Sequence, residues 1–186
     1  MFRDLHIETE RLIIRPFKLD DAPAFLELVN DQEVLRYIPL EHMSLEDVTR
    51  TFEQRIKSYE IDSLEDFDRA STAICLKGSG KLIGWVGLGR LEIDPSVIEV
   101  YYGLGRSYWG RGYATEAARA MLDYGFREWG LDRIVAIILP DNAASGRVLE
   151  KIGMKYEKQV TGLPEQHRFF EGVLYFALTR EEYFSS

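Results

Sequence analysis

Residues 98–129, IEVYYGLGRSYWGRGYATEAARAMLDYGFREW, constrain the fold more than any other part of the chain. The stretch opens with strand-like alternation and passes through Trp109-Gly110-Arg111-Gly112-Tyr113-Ala114-Thr115. It then carries Ala114, Ala117, Ala118, Met121, Leu122 and Gly125 at helical spacing. The pattern predicts a strand, a tight glycine turn and a helix. The first turn of a helix has N–H groups with no partner inside it, and together with the helix dipole they attract anions. Glycines at 110 and 112 let a ligand approach the main chain without meeting a Cβ, and they accept backbone angles that other residues resist. A phosphate or pyrophosphate is the guest that suits such a turn.

Several glycine turns bind phosphate, and the string decides among them. A Walker A loop, GxxxxGK[ST], does not occur. A dinucleotide fingerprint needs GxGxxG or GxGxxA, but Gly103-Leu104-Gly105 is followed at the third position by Tyr108, and Gly110-Arg111-Gly112 by Thr115. The spacing of Trp109, Gly112 and Ala114 instead resembles the Q/R-x-x-G-x-G/A acyl-CoA pyrophosphate loop of the GCN5-related N-acetyltransferase (GNAT) superfamily. The longer string YWGRGYATEA is similar to the RimJ/RimL-like branch of ribosomal-protein N-terminal acetyltransferases. Trp109 stands where the wider superfamily has Gln or Arg, a change that a backbone-mediated grip tolerates. The resemblance implies acetyl-CoA as co-substrate, held by Trp109, Gly110, Arg111, Gly112, Tyr113, Ala114 and Thr115.

Composition enters as a set of exclusions. A chain of 186 residues with 46% apolar content suits one domain, 1–186, with a full core. No apolar run approaches the ~20 residues needed to span a bilayer, and MFRDLHIETERL lacks the apolar core of a secretory leader. A cytoplasmic protein without a membrane partner is the expectation. The lone Cys75 lies in an alternating stretch and reads as a buried thiol, not a nucleophile. A net charge of −8 disfavours nucleic acid and favours a cationic amine substrate. His6, His42 and His167 show no metal-ligand spacing, so no metal site is expected.

Taken in order, the chain reads as follows. Residues 8–17 read as a strand stopped at Pro16, then a helix enters at Leu19-Asp20-Asp21-Ala22-Pro23 and runs to about Val29. Residues 30–40 hold a second helical turn ending at Pro39, with Tyr37 and Ile38 facing whatever lies before the sheet. Ser44-Leu45-Glu46-Asp47 starts a third helix in a capping-box pattern, with Leu45, Val48, Phe52, Ile56 and Tyr59 on one side. An acidic linker, 62–68, leads to strands 69–77 and 81–91 around Gly78-Ser79-Gly80. Asp94-Pro95-Ser96 turns into a third antiparallel strand from Val97. Gly84, Gly87 and Gly89 point to bulges or close backbone approach. After the 98–129 element, Gly130 is a helix stop, and residues 133–139, RIVAIIL, form a buried strand beside a parallel neighbour. Pro140-Asp141-Asn142 opens a helix terminated by Gly153. Strands over 154–159 and 167–178 close the chain. The elements alone give α+β with a mixed sheet. The resemblance, extended by NAASGRVLEKIGM, implies a mixed, mostly antiparallel, about seven-stranded sheet with flanking helices and a central V-shaped splay.

Moving an acetyl group from a thioester to an amine needs the amine unprotonated, a donor for the developing oxyanion, and two substrates held in one groove. Glu99, inside the apolar run Val97-Ile98-Glu99-Val100, is the candidate base, because desolvation raises a carboxyl pKa. The other reading turns Glu99 to the opposite face, paired with a neighbouring strand. The resemblance places a proton-donating Tyr where this chain has Leu149, so Ser145 becomes the replacement candidate, against a plain first-turn serine. Asn142 is either an N-cap or a cofactor contact. Tyr102 and Leu104 share a face, and the resemblance places the pantetheine arm and the oxyanion donor beside them. Arg106 and Arg111 flank the anion site, Arg111 as positive charge near the phosphates or as a solvated loop arginine, while Arg147 and Lys151 could reach a 3′-phosphate but read first as solvent-facing charges. The resulting expectation is direct transfer from acetyl-CoA to a primary amine by a monomer or homodimer, with a protein or peptide α-amine favoured. Small-molecule acetylation, a non-catalytic acyl-CoA sensor and a nucleotide-dependent oxidoreductase are the rivals.

Overall fold

The computed structural model describes residues 2–38, 42–61 and 63–185. β1 (Ile7–Glu8) and β2 (Leu12–Arg15) form a hairpin with Ile7 opposite Ile14, and Pro16 ends it. Residues 8–17 are thus two strand pieces, not one. α1 (Ala22–Val29) carries Pro in its first turn, but the Asp21 carboxylate turns back to the Lys18 N–H at 2.8 Å and to Arg15 at 2.7 and 2.8 Å instead of capping α1. α2 (Gln32–Leu35) is capped by Asp31, and Pro39, where that turn was expected to end, lies outside the described residues. α3 (Leu45–Ser58) starts with a reciprocal box, Asp47 N–H to Ser44 Oγ at 3.2 Å and Ser44 N–H to Asp47 Oδ2 at 3.1 Å. Val48 and Phe52 are buried as their spacing predicts, whereas Leu45, in the first turn, is 47% exposed.

β3 (Arg69–Leu76), β4 (Leu82–Leu91) and β5 (Asp94–Leu104) form the expected antiparallel meander. The reversal before β5 sits at Glu92 and Ile93, not at Asp94-Pro95-Ser96, since Asp94 already pairs with Leu91. Pro95 is tolerated because β6 does not pair there. Cys75, in β3, is buried, and burial pushes its thiol pKa up.

α4 (Tyr113–Arg127) then leads to β6 (Arg133–Ile138), α5 (Ala143–Lys151), β7 (Lys155–Gln159), β8 (Leu174–Thr179) and α6 (Arg180–Ser185). The last strand is shorter than expected. Residues Glu165–Phe170 form a 3-10 helix, and Gly172 at φ 83° breaks the extended run before β8. The terminal helix α6 was not foreseen. Its start is a Thr179–Glu182 box, Glu182 N–H to Thr179 Oγ1 at 3.2 Å and Thr179 N–H to Glu182 Oε2 at 3.0 Å.

Among the described residues the sheet has eight strands in the order β1-β2-β3-β4-β5-β6-β8-β7, and only β5 and β6 run parallel. On one face Ala117, Ala118, Met121, Leu122 and Phe126 of α4 pack on Val86, Leu88, Val100 and Ile134. On the other, Phe25 of α1 and Val48 and Phe52 of α3 pack on Ala73 and Trp85. β5 and β6 meet at one register position, Glu99 opposite Val135, and then separate toward their C-terminal ends. That divergence opens the sheet in its middle.

Candidate active site

The opening can be derived from the ladder. The Gly105 N–H donates to the Ile83 carbonyl at 2.9 Å, and hydrogen-bonded pairs alternate along an antiparallel ladder. Gly103 and Tyr101 therefore bond β4, while the main-chain groups of Tyr102 and Leu104 turn toward the side that β6 has left. The Leu104 carbonyl accepts from Trp109 Nε1 at 2.7 Å, which pins the loop to the strand end. The loop then runs through Gly110 at φ 72° and Gly112 at φ 81° into α4. Both angles lie in the left-handed region that a Cβ resists. Gly112 has no side chain to cap the helix, so the N–H groups of Tyr113, Ala114 and Thr115 have no acceptor within it.

A groove of about 360 Å³ lies in front of these amides. It is lined by Tyr102, Leu104, Trp109, Gly110, Gly112, Tyr113, Ala114, Thr115, Asn142 and Ser145. Ten of the twelve candidate site residues are thereby brought together. Arg111 is not among the lining residues; its side chain is exposed, and its carbonyl accepts from Arg11 Nη1 at 2.9 Å. Arg106 is not among them either, whereas Arg147 and Lys151 are exposed, as read from the sequence, and also line the groove.

Arg11 was missed. It donates to Glu116 through Nε at 2.7 Å and through its own N–H at 2.8 Å, and it lies over the Tyr113 ring at 4.6 Å. Burial opposes ionisation of Glu116, but hydrogen bonds from Thr9 and Arg11 outweigh it and hold the carboxyl below its ordinary value. One arginine from the first hairpin thus ties the loop and the first turn of α4 together. The local signal was Glu116 itself, an acid in a helix first turn, where dipole and partner both favour it.

A second cavity of about 340 Å³ shares Tyr37, Ile38, Trp85, Tyr102, Asn142 and Ser145 with the first. Tyr37 and Ile38 thus do face the space before the sheet. The Tyr102 hydroxyl stands at the junction and donates to the Ser145 carbonyl at 3.3 Å, and burial pushes its pKa up. Ser145 also donates its N–H to Asn142 Oδ1 at 3.1 Å, so Asn142 is the N-cap of α5 as well as a wall of both cavities.

Glu99, 7% exposed, lines the second cavity. It faces β3, not α4, and accepts from Arg69 Nη2 at 2.5 Å. The pairing with another strand is thus present, and the carboxylate also borders the cavity. Burial raises its pKa, and the Arg69 guanidinium pulls against that. Beside the pair, Tyr101 Oη and Ser71 Oγ lie 2.9 Å apart, and a Cβ at Gly87 would fall 2.6 Å from Tyr101 Oη. Gly87 is the close approach that its place in the strand suggested. Leu149 is buried and also lines this cavity. Among the described residues no group of His, Cys, Asp or Glu could hold a metal ion, and no helix is long and apolar enough to cross a membrane.

Residues 11–155 match the acetyltransferase (GNAT) domain family. The uncharacterized N-acetyltransferase YnaD of Bacillus subtilis (strain 168) is 33% identical over 180 residues, covering 96% of this chain and 99% of the relative. The crystal structure of a GNAT-family acetyltransferase from Bacillus anthracis is similar with a TM-score of 0.79 and 30% identity, covering 95% of this chain and 99% of that one. RimL, a ribosomal L7/L12 alpha-N-protein acetyltransferase in complex with coenzyme A, has a TM-score of 0.78 at 17% identity, covering 94% and 98%. At that identity the likeness is one of fold.

Proposed function

Because the chain belongs to the GNAT acetyltransferase family and is an acetyl-CoA-dependent N-acetyltransferase, we propose that the first cavity holds coenzyme A and the second receives a primary amine. The observation that carries the reading is the pair of adjoining cavities, one ending on uncapped helix amides and the other on a buried carboxylate. The protein acts as one catalytic domain.

The residues of the first cavity fit coenzyme A. The amides of Tyr113, Ala114 and Thr115, in an uncapped turn free of Cβ atoms at 110 and 112, receive the pyrophosphate. Trp109 shapes the loop through its bond to Leu104, and Arg111 contributes its carbonyl to the Arg11 clamp. Arg147 and Lys151 supply positive charge on the opposite wall. The outward-turned main chain of Tyr102 and Leu104 receives the amide-bearing pantetheine arm, with Asn142 across the groove.

The thioester presents an acyl group whose carbonyl gains negative charge as the amine attacks. Tyr102 stays protonated through the neutral range, because burial raises its pKa, and its hydroxyl donates to the negative charge that develops at the junction. Before attack the Ser145 carbonyl holds that hydroxyl's single proton, which turns from the carbonyl to the acyl oxygen as charge develops there. Glu99 accepts the amine proton through water, which its raised pKa favours, and as the C–N bond is completed the C–S bond breaks, the sulfur leaving as a thiolate that takes up a proton. An α-amine, with a pKa near 8 against about 10.4 for a lysine amine, leaves more unprotonated nucleophile at neutral pH. That favours a peptide α-amine over a lysine side chain as the acceptor, with a small-molecule amine as the second reading.

Calorimetry with coenzyme A, followed by thiol release from acetyl-CoA with added amines, tests the reading. Binding and amine-dependent release are expected. A purified protein with no affinity for coenzyme A would sink it.

A further inference from the structure

The acceptor cavity holds a charge that acetyl transfer does not use. Arg55, on α3, lines the cavity, and its side chain makes no hydrogen bond or ion pair among the described residues. Its Nη1 is shut off from solvent with no acceptor. Three rings stand around the guanidinium, with Phe25, Phe17 and Phe52 centroids at 5.2, 5.7 and 5.8 Å, and the nearest charge, Arg69, is of like sign. Arg69, the other guanidinium on this wall, is paired with Glu99 and lies over the Tyr101 ring at 4.3 Å. Glu92 is the remaining carboxylate in the lining, but its side chain is 56% exposed and stands 3.7 Å from His167 Nδ1. The inner wall therefore sets two guanidinium groups against one carboxylate.

A guanidinium does not deprotonate in a protein, so Arg55 cannot relieve its position by losing charge. A partly desolvated cation without a counter-ion favours any anion that can reach it. Its planar fork matches the two oxygens of a carboxylate. The three phenylalanine rings hold that fork by cation–π contact, which limits the ordering that binding would demand. Polyamines, cationic along their whole length, meet the wrong sign here despite the chain's net charge of −8.

We propose that Arg55 recognises the acceptor, and that the acceptor is an amine that also carries a carboxylate. The proposal rests on the reading of the second cavity as the amine site. The carboxylate comes from one of two sources, the α-carboxylate of a free amino acid or the acidic side chain of a peptide's first residue.

Matched acceptor pairs separate these sources. Alanine against alaninamide, and an Asp-initiated against an Asn-initiated tripeptide amide, are compared at saturating acetyl-CoA by thiol release, with each kcat/KM referred to the unprotonated amine because the carboxylate itself raises the amine pKa, and with spermidine as the cationic arm. The carboxylated member of one pair should be favoured by at least about tenfold in kcat/KM. Arg55→Met keeps an apolar stem against the three rings and should bring that preference to within about twofold, through KM, with coenzyme A affinity by calorimetry retained. Arg55→Lys should keep part of the preference. N-acetylalanine, a product-like anion, should bind the coenzyme A complex of the unaltered protein and not that of Arg55→Met. The proposal is overturned by equal use of charged and neutral members, by spermidine as the best acceptor, by an undiminished preference in Arg55→Met, or by coenzyme A binding with neither turnover nor N-acetylalanine binding. Failure to bind coenzyme A at all would instead overturn the acetyltransferase site.

Discussion

Replacing Gly112 by alanine tests the phosphate site where it is most sharply built. Gly112 sits at φ 81°, and a Cβ added there would lie 3.3 Å from Nη2 of the Arg11 clamp, which would have to give by a few tenths of an ångström. The backbone angle is the larger obstacle. Holding an L-residue in the left-handed region costs about 1–2 kcal/mol. The variant can respond in two ways. If the turn keeps its angle, the whole cost falls on folding, and Tm drops by about 2–4 °C per kcal/mol for a chain of this size, with coenzyme A affinity unchanged. If the turn relaxes to negative φ, Tm changes little, but the amides of Tyr113, Ala114 and Thr115 lose their aim. Coenzyme A Kd then rises by about five- to thirtyfold, since 1.4 kcal/mol is a factor of ten. Differential scanning calorimetry and titration calorimetry on one preparation read both terms, and their sum should reach at least about 1 kcal/mol. Gly110→Ala, at φ 72° with open space around its Cβ, should behave alike, and Gly78→Ala, whose φ is not positive, should do neither. A Gly112→Ala protein with unaltered Tm and unaltered Kd would refute the idea that a left-handed turn aims these amides.

Glu99→Gln should lower kcat by about 10²-fold or more while coenzyme A affinity stays. Burial sets the Glu99 carboxyl above the ordinary carboxylate value, so the acid limb of kcat/KM should lie above that range, vanish in Glu99→Gln, and move to higher pH in Arg69→Met, which removes the opposing pull. An unchanged pH–rate profile in Glu99→Gln would remove Glu99 from the mechanism. Tyr102→Phe deletes the hydroxyl at the junction of the cavities and should reduce kcat by about 10²-fold with little change in KM for acetyl-CoA; wild-type turnover would show that the hydroxyl donates to nothing that matters. At the C-terminus, hydrogen bonds from Lys155 and Thr179 draw the Glu182 carboxyl down to about 2 from 4.5. Its contribution to stability is present above the unfolded value and disappears as pH falls through the folded one. The Tm gap between the unaltered chain and Glu182→Gln should therefore be constant at neutral pH and close between about pH 4.5 and 2; a gap that persists at pH 2 contradicts the assignment.

Local periodicity and turn chemistry made much of the chain legible. Ser44 and Asp47 declare a helix start wherever the helix goes, and Ala117, Ala118, Met121 and Leu122 fall on one face because 3.6 residues make a turn. Misreadings occurred where local signals compete. Asp94-Pro95-Ser96 has turn composition, yet pairing with Leu91 draws Asp94 into the ladder. Residues 167–178 read as one strand, but a 3-10 helix over Glu165–Phe170 and Gly172 at positive φ delay the extended run to β8. The Thr179–Glu182 box was legible and overlooked.

By itself the sequence determined the strand, glycine turn and helix, because their causes lie within a few residues of one another: unpaired helix amides, positive φ, and periodic apolar faces. The tertiary structure decided what no local pattern encodes. Arg11 reaches Glu116 and the Arg111 carbonyl across about a hundred positions, Arg69 meets Glu99 two strands away, and Arg55 lies among three rings without a partner. Such charges find their places only when the sheet closes, since the free energy of an ion depends on what surrounds it and not on its neighbours in the chain.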